Sequence, residues 1–188
     1  MLYLLEILAL GLAPVIFIFT IVYVQDKHDR EPLGMLIITF VLGIAIAIPA
    51  VFLEVNLSKI LTLSNNPNFA GSLIKAMVVV AASEEGLKFL VLRGFAYRSR
   101  HFDEPYDGIM YAVAVSMGFA AIENVLYISE YDFETGIFRA FTAVPGHAMM
   151  AIVMGYFVGL AKFGSTPGTR ARNLLTGLGA AILIHGLY

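Results

Sequence analysis

The chain has 188 residues, 59% of them hydrophobic and only 14% charged, with a mean hydropathy of +0.82. That charged share is roughly half of what a soluble domain carries, and a soluble fold this short has no interior large enough to hide so much apolar surface. An ordinary cytosolic enzyme is excluded, as is a disordered chain, because charge is low and 12% of residues are aromatic. A net charge of −2 makes no case for nucleic-acid binding, and with no cysteine there is no disulfide framework, thiolate zinc site or cysteine nucleophile. The composition predicts an all-α, polytopic transmembrane helix bundle.

A membrane-crossing helix needs about 20 apolar residues. In chain order the predicted spans are Leu2–Val24, Gly34–Asn56, Ala70–Tyr97, Asp107–Ser129, Ile137–Ala161 and Asn173–Tyr188. The first does not read as a signal peptide, because it lacks a basic start, carries Glu6 and runs into Gln25-Asp26-Lys27 without a cleavage pattern. Barrel strands would be half as long. The sixth stretch stops after about 16 residues, roughly 24 Å of helix, so the natural protein is expected to continue beyond it. No soluble domain, repeat or low-complexity tract interrupts residues 1–188, which read as one integral-membrane domain.

Lys27 and Arg30, Arg98 and Arg100, and Lys162, Arg170 and Arg172 fall in the first, third and fifth loops. The second loop has Lys59, and the fourth, Glu130-Tyr-Asp-Phe-Glu134, has no basic residue. The positive-inside rule then predicts cytoplasmic odd loops and an outside N-terminus.

Ionisable groups inside a bilayer are costly, so each is a functional candidate by default. Asp26, His28, Asp29, Glu31, His101, Asp103, Glu104 and Asp107 sit in loops and ask for no special role. Glu6, Glu54, Lys75, Arg93 and Arg139 lie near helix ends and are expected to reach the interface. That leaves Glu84, Glu85, Lys88, Glu123, His147 and His185 deep in the spans, with Asn124 beside them. Counted from Arg98, Asp107, Lys162 and Arg172, four of these helices deliver Glu84, Glu123, His147 and His185 about 13 to 16 residues in. That is roughly 20 to 24 Å at 1.5 Å per residue, a single layer a little beyond the midplane.

Glu84 and Lys88 are four residues apart on one helical face and are expected to pair, with Glu85 turned about a quarter-turn toward another neighbour. A base and an acid from adjacent residues is what hydrolysis by an activated water needs. The bland alternative is a buried Glu–Lys pair that locks two helices, with His147 and His185 as interhelical hydrogen-bond donors. Asn124 is expected to support Glu123. Gly155-Tyr-Phe-Val-Gly159 has the spacing of a helix-packing motif. In the stripe Phe119, Glu123, Tyr127, only Glu123 needs explaining.

Other protease patterns are missing. His147 is followed by Ala-Met-Met-Ala, so there is no H-E-x-x-H, and Ser116 has no base nearby in sequence. All five aspartates lie in loops or at helix ends, which removes an aspartyl pair.

Glu84-Glu85-Gly-Leu-Lys88, then Asp107-Gly-Ile-Met-Tyr with Gly118-Phe-Ala-Ala-Ile-Glu123-Asn124, then His147 with Gly155, then His185-Gly-Leu-Tyr188, closely resemble the PrsW family. The likeness runs from Asp26…Glu31-Pro32 to the last residue. It implies a bacterial cell-membrane, glutamic-type intramembrane peptidase distantly related to the CAAX prenyl endopeptidases. It also implies a role in the first, extracytoplasmic-side cleavage of a membrane-anchored anti-sigma factor. Where the CAAX relatives carry F-x-x-x-H, this chain has Phe119-x-x-x-Glu123, so their glutamate–histidine dyad cannot be copied and His147 has to be recruited. Family chains also continue past the final His-Gly motif, so any group from that region is missing from the expected site.

The expected mechanism has Glu84 or Glu85 activating a water, with His147 and His185 donating to the oxyanion or protonating the leaving nitrogen. Lys88 tunes the glutamates, and Glu123 with Asn124 orients a histidine. No cofactor is needed on this reading. Three alternatives stay open: a zinc-dependent version with a His₂Glu shell, a proton- or ion-coupled transporter, and a non-catalytic substrate-binding membrane protein.

Overall fold

The computed structural model describes residues 2–27, 29–62 and 68–188, with side chains from Ile7 onward. Glu6 as a side chain and His28 therefore lie outside the described residues. Among those described there are helices and no strands. In chain order they are α1 (Leu2–Gln25), α2 (Leu33–Ala45), α3 (Ala47–Ile60), α4 (Phe69–Ile74), α5 (Ala82–Gly94), α6 (Asp107–Glu130), α7 (Phe133–Phe141), α8 (Ala143–Lys162) and α9 (Pro167–Leu187).

Among the described residues, four helical runs are long and apolar enough to cross a membrane: Ile7–Gln25, Leu33–Ile60, Asp107–Glu130 and Phe133–Lys162. Two of them are broken, where the sequence had suggested single spans. The break between α2 and α3 falls at Ile46, and that between α7 and α8 at Thr142. Each is followed three residues later by a proline, Pro49 and Pro145, which lacks an N–H and is tolerated only in a helix's first turn. The stretch containing the site is also segmented. Between α4 and α5, residues Lys75–Ala81 wind as a π-helix, a form that recurs at functional sites. The last helix starts at Pro167 rather than Asn173, because Thr166 caps it, its hydroxyl accepting from Thr169 N at 3.1 Å.

Helix α6 forms the centre. Met110 to Ala121 is buried on every face, as expected of a helix wrapped by others. It packs against α1, α2 and α8. The Gly155–Gly159 spacing does serve helix packing: a Cβ on Gly155 would lie 2.4 Å from the Gly108 carbonyl oxygen, and one on Gly159 would lie 2.1 Å from that of Pro105. Large apolar side chains such as Phe17, Ile48, Phe52 and Phe141 face outward, as lipid contact requires.

Three loop-side acids are not simply solvated. Asp26, Glu31 and Asp107 are buried, with Asp107 opening α6 and accepting from the backbone N–H groups of Asp103 and Glu104 at 2.8 and 2.7 Å. Tyr111 donates its hydroxyl proton to Glu31. The loop before α2 is thereby tied to the first turns of α6.

Candidate active site

Helix α5 carries Glu84, Glu85 and Lys88 on its first turns, directly after the π-helical stretch, and all three are buried. The helical spacing predicts a Lys88–Glu84 pair with Glu85 turned toward another neighbour. In fact the Lys88 ammonium donates to both, at 3.1 Å to Glu84 Oε2 and 2.7 Å to Glu85 Oε1. The reason is geometric: residues three and four apart lie on the same side of a helix, and the long lysine stem reaches between them. The locking contact between helices is instead Lys88 to α8, with Nζ 3.1 Å from His147 Nδ1.

An ammonium can only donate, so His147 Nδ1 accepts and its Nε2 carries the proton. That N–H donates to Glu123 Oε2 at 2.8 Å. Glu123 also receives Arg139, whose guanidinium lies 2.9 Å away. Arg139 Nε donates to Asn124 Oδ1 at 2.8 Å, so Asn124 supports Glu123 through Arg139 and not directly. On the other side, His185 of α9 has Nδ1 3.0 Å from Glu85 Oε1, and its Nε2 is 4.0 Å from Glu84 Oε2. The His147 and His185 rings stand edge-on at 5.6 Å. All seven residues singled out from the sequence, Glu84, Glu85, Lys88, Glu123, Asn124, His147 and His185, thus belong to one continuous network.

Three other residues lie beside this network. Arg139 and Glu54, expected at the interface, both turn inward. Phe119 serves as a floor, with the Lys88 ammonium 4.3 Å from its ring centre and the His147 ring 5.9 Å away. Arg139 lies 4.0 Å over the Tyr127 ring in the same manner. A cavity of about 760 Å³ opens onto the network, and Glu54, Glu84, Phe119, Glu123, Tyr127 and His185 are among its walls. Glu85, Lys88 and His147 lie behind that wall.

The donor chemistry for a metal ion is partly present. Glu84, Glu85 and His147 each offer a ligand atom within 4.8 Å of the others, and carboxylates with an imidazole are zinc-type donors. This differs from a His₂Glu shell, since His185 is not in the group. The same three side chains already converge on the Lys88 ammonium, at 2.7–3.1 Å. As arranged, they hold an organic cation, and a second cation beside it would meet like-charge repulsion. The donor set does not fit a metal while Lys88 stays in place.

The chain matches the family described as PrsW family intramembrane metalloprotease over residues 31–188. It is similar to Protease PrsW of Bacillus subtilis, with 35% identity over 97% of this chain and 80% of the relative. It is also similar to Protease PrsW of Oceanobacillus iheyensis, with 34% identity over 98% of this chain and 81% of the relative. Protease PrsW of Clostridioides difficile shares 32% identity over 98% of this chain and 78% of its own length. No solved structure matches the chain. With its multi-pass helices and this likeness along nearly its whole length, the chain belongs to the PrsW family of intramembrane proteases.

Proposed function

We propose that the protein is a glutamic-type endopeptidase whose residues 1–188 form one integral-membrane peptidase domain. Glu84 is the base: it is the Lys88-bound carboxylate that also lines the cavity. A water held there gives a proton to Glu84 as its oxygen attacks the peptide carbonyl carbon. The proton then passes to the leaving nitrogen, directly or through His185, as the C–N bond breaks. Glu85 holds Lys88 and His185 in place, and Lys88 supplies positive charge to the carboxylate pair. Glu123, with Arg139 and Asn124 behind it, fixes His147, which in turn fixes Lys88. The mechanism uses no cofactor.

The observation that carries this reading is the convergence of four helices' polar groups on one open cavity. Kinship to proteins named as proteases favours peptide hydrolysis over transport or passive binding. The substrate we propose is a single-pass membrane protein such as an anti-sigma factor, cut near the outer leaflet in a bacterial cell membrane. The N-terminus is outside, by the distribution of loop lysines and arginines. The test is co-expression with single-pass candidates. Glu84→Gln should lose about 10²–10⁴-fold of cleavage, the usual scale for a general base, while inserting normally. Cleavage surviving in both Glu84→Gln and Glu85→Gln would remove the glutamate mechanism.

A zinc-dependent version is the second reading, supported by the family's description and by the donor types of Glu84, Glu85 and His147. It requires Lys88 to withdraw. Metal content of active protein decides between them.

A further inference from the structure

Among the described residues, four carboxylates line the cavity, from Glu54 on α3, Glu84 on α5, and Glu123 and Glu130 on α6, with no lysine or arginine among its walls. The compensating cations sit behind it. Lys88 is spent on Glu84 and Glu85, and Arg139 on Glu123 and Asn124. Glu54 differs from Glu84 and Glu123, which have cations, and from Glu130, which likewise forms no hydrogen bond or ion pair among the described residues but is exposed. Glu54 is half-buried, lies within electrostatic reach of Glu84, Glu123, His185 and the Lys88 ammonium, and forms no hydrogen bond or ion pair among the described residues. An ionisable group at membrane depth without a partner on its own chain is costly to keep there. The chamber's open side is where a partner can enter.

We propose that Glu54 is a specificity-determining residue that receives a basic side chain, lysine or arginine, from the substrate segment lying past Glu84. The inference rests on the proteolytic reading above. The Tyr131 ring, on the same wall and stacked on Tyr127 at 5.7 Å, offers a face for the alkyl stem of such a side chain. Glu54 stands on a different helix from the base, so it can select substrate without taking part in the proton transfers.

The experiment uses the full chain in detergent and a panel of tagged single-pass test proteins. Each carries the same apolar helix, with Lys, Gln or Glu placed in turn at three positions near its outer end. Wild type should cut the Lys version at one register about tenfold faster than the Gln version, the scale of one charge-assisted hydrogen bond, and the Glu version more slowly still. Glu54→Gln should shrink that preference to within about twofold while still cutting the Gln version, and Glu54→Lys should reverse it toward Glu. Glu130→Gln should keep it. A wild type indifferent to charge, or a Glu54→Gln protein that keeps the Lys preference, overturns the assignment to Glu54 and leaves the protease reading standing. Failure of wild type to cut any member overturns the protease reading, and this inference with it.

Discussion

Lys88 and His147 meet 59 residues apart in sequence, the ammonium 3.1 Å from the ring Nδ1, and this contact joins two ionic systems that are otherwise separate. On one side are Glu84, Glu85 and His185, and on the other Glu123, Arg139 and Asn124. Lys88 is 2% exposed, so nothing in solvent replaces it if it is removed. Lys88→Met should therefore leave two buried carboxylates without a cation and cost about 3–5 kcal/mol, the usual penalty for breaking a buried ion pair. Thermal unfolding in detergent measures this. Adding Glu85→Gln should recover part of the loss, since only one carboxylate then lacks a cation. A Lys88→Met protein as stable as wild type would mean that the ammonium is not the keystone of the network.

The same position makes a statement about metal. If Lys88 is the resident cation, protein stripped by a strong chelator should keep its full rate of cleavage, and elemental analysis of active protein should find well under one metal per chain. Loss of cleavage on stripping, restored by zinc, would instead show that Lys88 moves aside for the ion.

Two glycines pressed against one another set the distance between α6 and α8. Gly155→Ala would place its Cβ 2.4 Å from the Gly108 oxygen, a contact with backbone that cannot swing away. Pushing these helices apart should cost about 1–3 kcal/mol, as overpacking does. It should also pull His147 on α8 away from Lys88 on α5. Gly179→Ala, with open space around its Cβ position, is the matched control and should be silent. Equal melting temperatures for the two variants would refute the close-packing account.

Away from the site, Glu31 gives the protein a pH dependence of its own. Burial raises its carboxyl to about 8, against the pull of the Tyr111 hydrogen bond and with help from Asp107. A carboxyl raised in the folded state contributes stability that is fully present below its unfolded value near 4.5 and is lost as pH climbs through about 8. The melting temperature should fall between pH 5 and 8, and Glu31→Gln should flatten that slope. A wild-type melting temperature constant over this range would rule the effect out.

The seven deep polar residues were legible because a bilayer makes each of them conspicuous: no side chain of that kind belongs in an apolar helix without a reason. Helical rise put Glu84, Glu123, His147 and His185 at one expected level, but which way each side chain faces depends on the tertiary packing. Glu54 and Arg139 were misread because residues near helix ends usually reach water, and that rule ignores charge balance. Glu84, Glu85 and Glu123 outnumber Lys88 three to one, so a second cation was required, and Arg139 was within reach. The breaks at Ile46 and Thr142 had a signal too, in Pro49 and Pro145, but hydropathy windows average over prolines. Burial of Asp26, Glu31 and Asp107 had none, since loop acids look alike until tertiary packing selects some of them.

The charge-balance reading can be tested on Glu123 and Arg139. Their side chains are 20% and 12% exposed and 2.9 Å apart, so each partly shields the other from an apolar environment. Arg139→Met leaves Glu123 with His147 alone and removes the donor to Asn124 Oδ1. Glu123→Gln leaves a guanidinium without its anion and frees the His147 ring to rotate. Each single change should destabilise the protein, and the double variant should be more stable than the sum of the two losses predicts, by about 1–3 kcal/mol of coupling. Cleavage should respond differently from stability. In Arg139→Met, Glu123 still accepts from His147 Nε2, so the rate should fall only modestly. In Glu123→Gln, the ring that supports Lys88 is no longer held by a carboxylate, so kcat should fall with little change in KM. The double variant should recover stability and leave kcat low. Recovery of both together would make Glu123 a purely structural counter-ion to Arg139, and the orienting chain from Glu123 through His147 to Lys88 would have no part in catalysis.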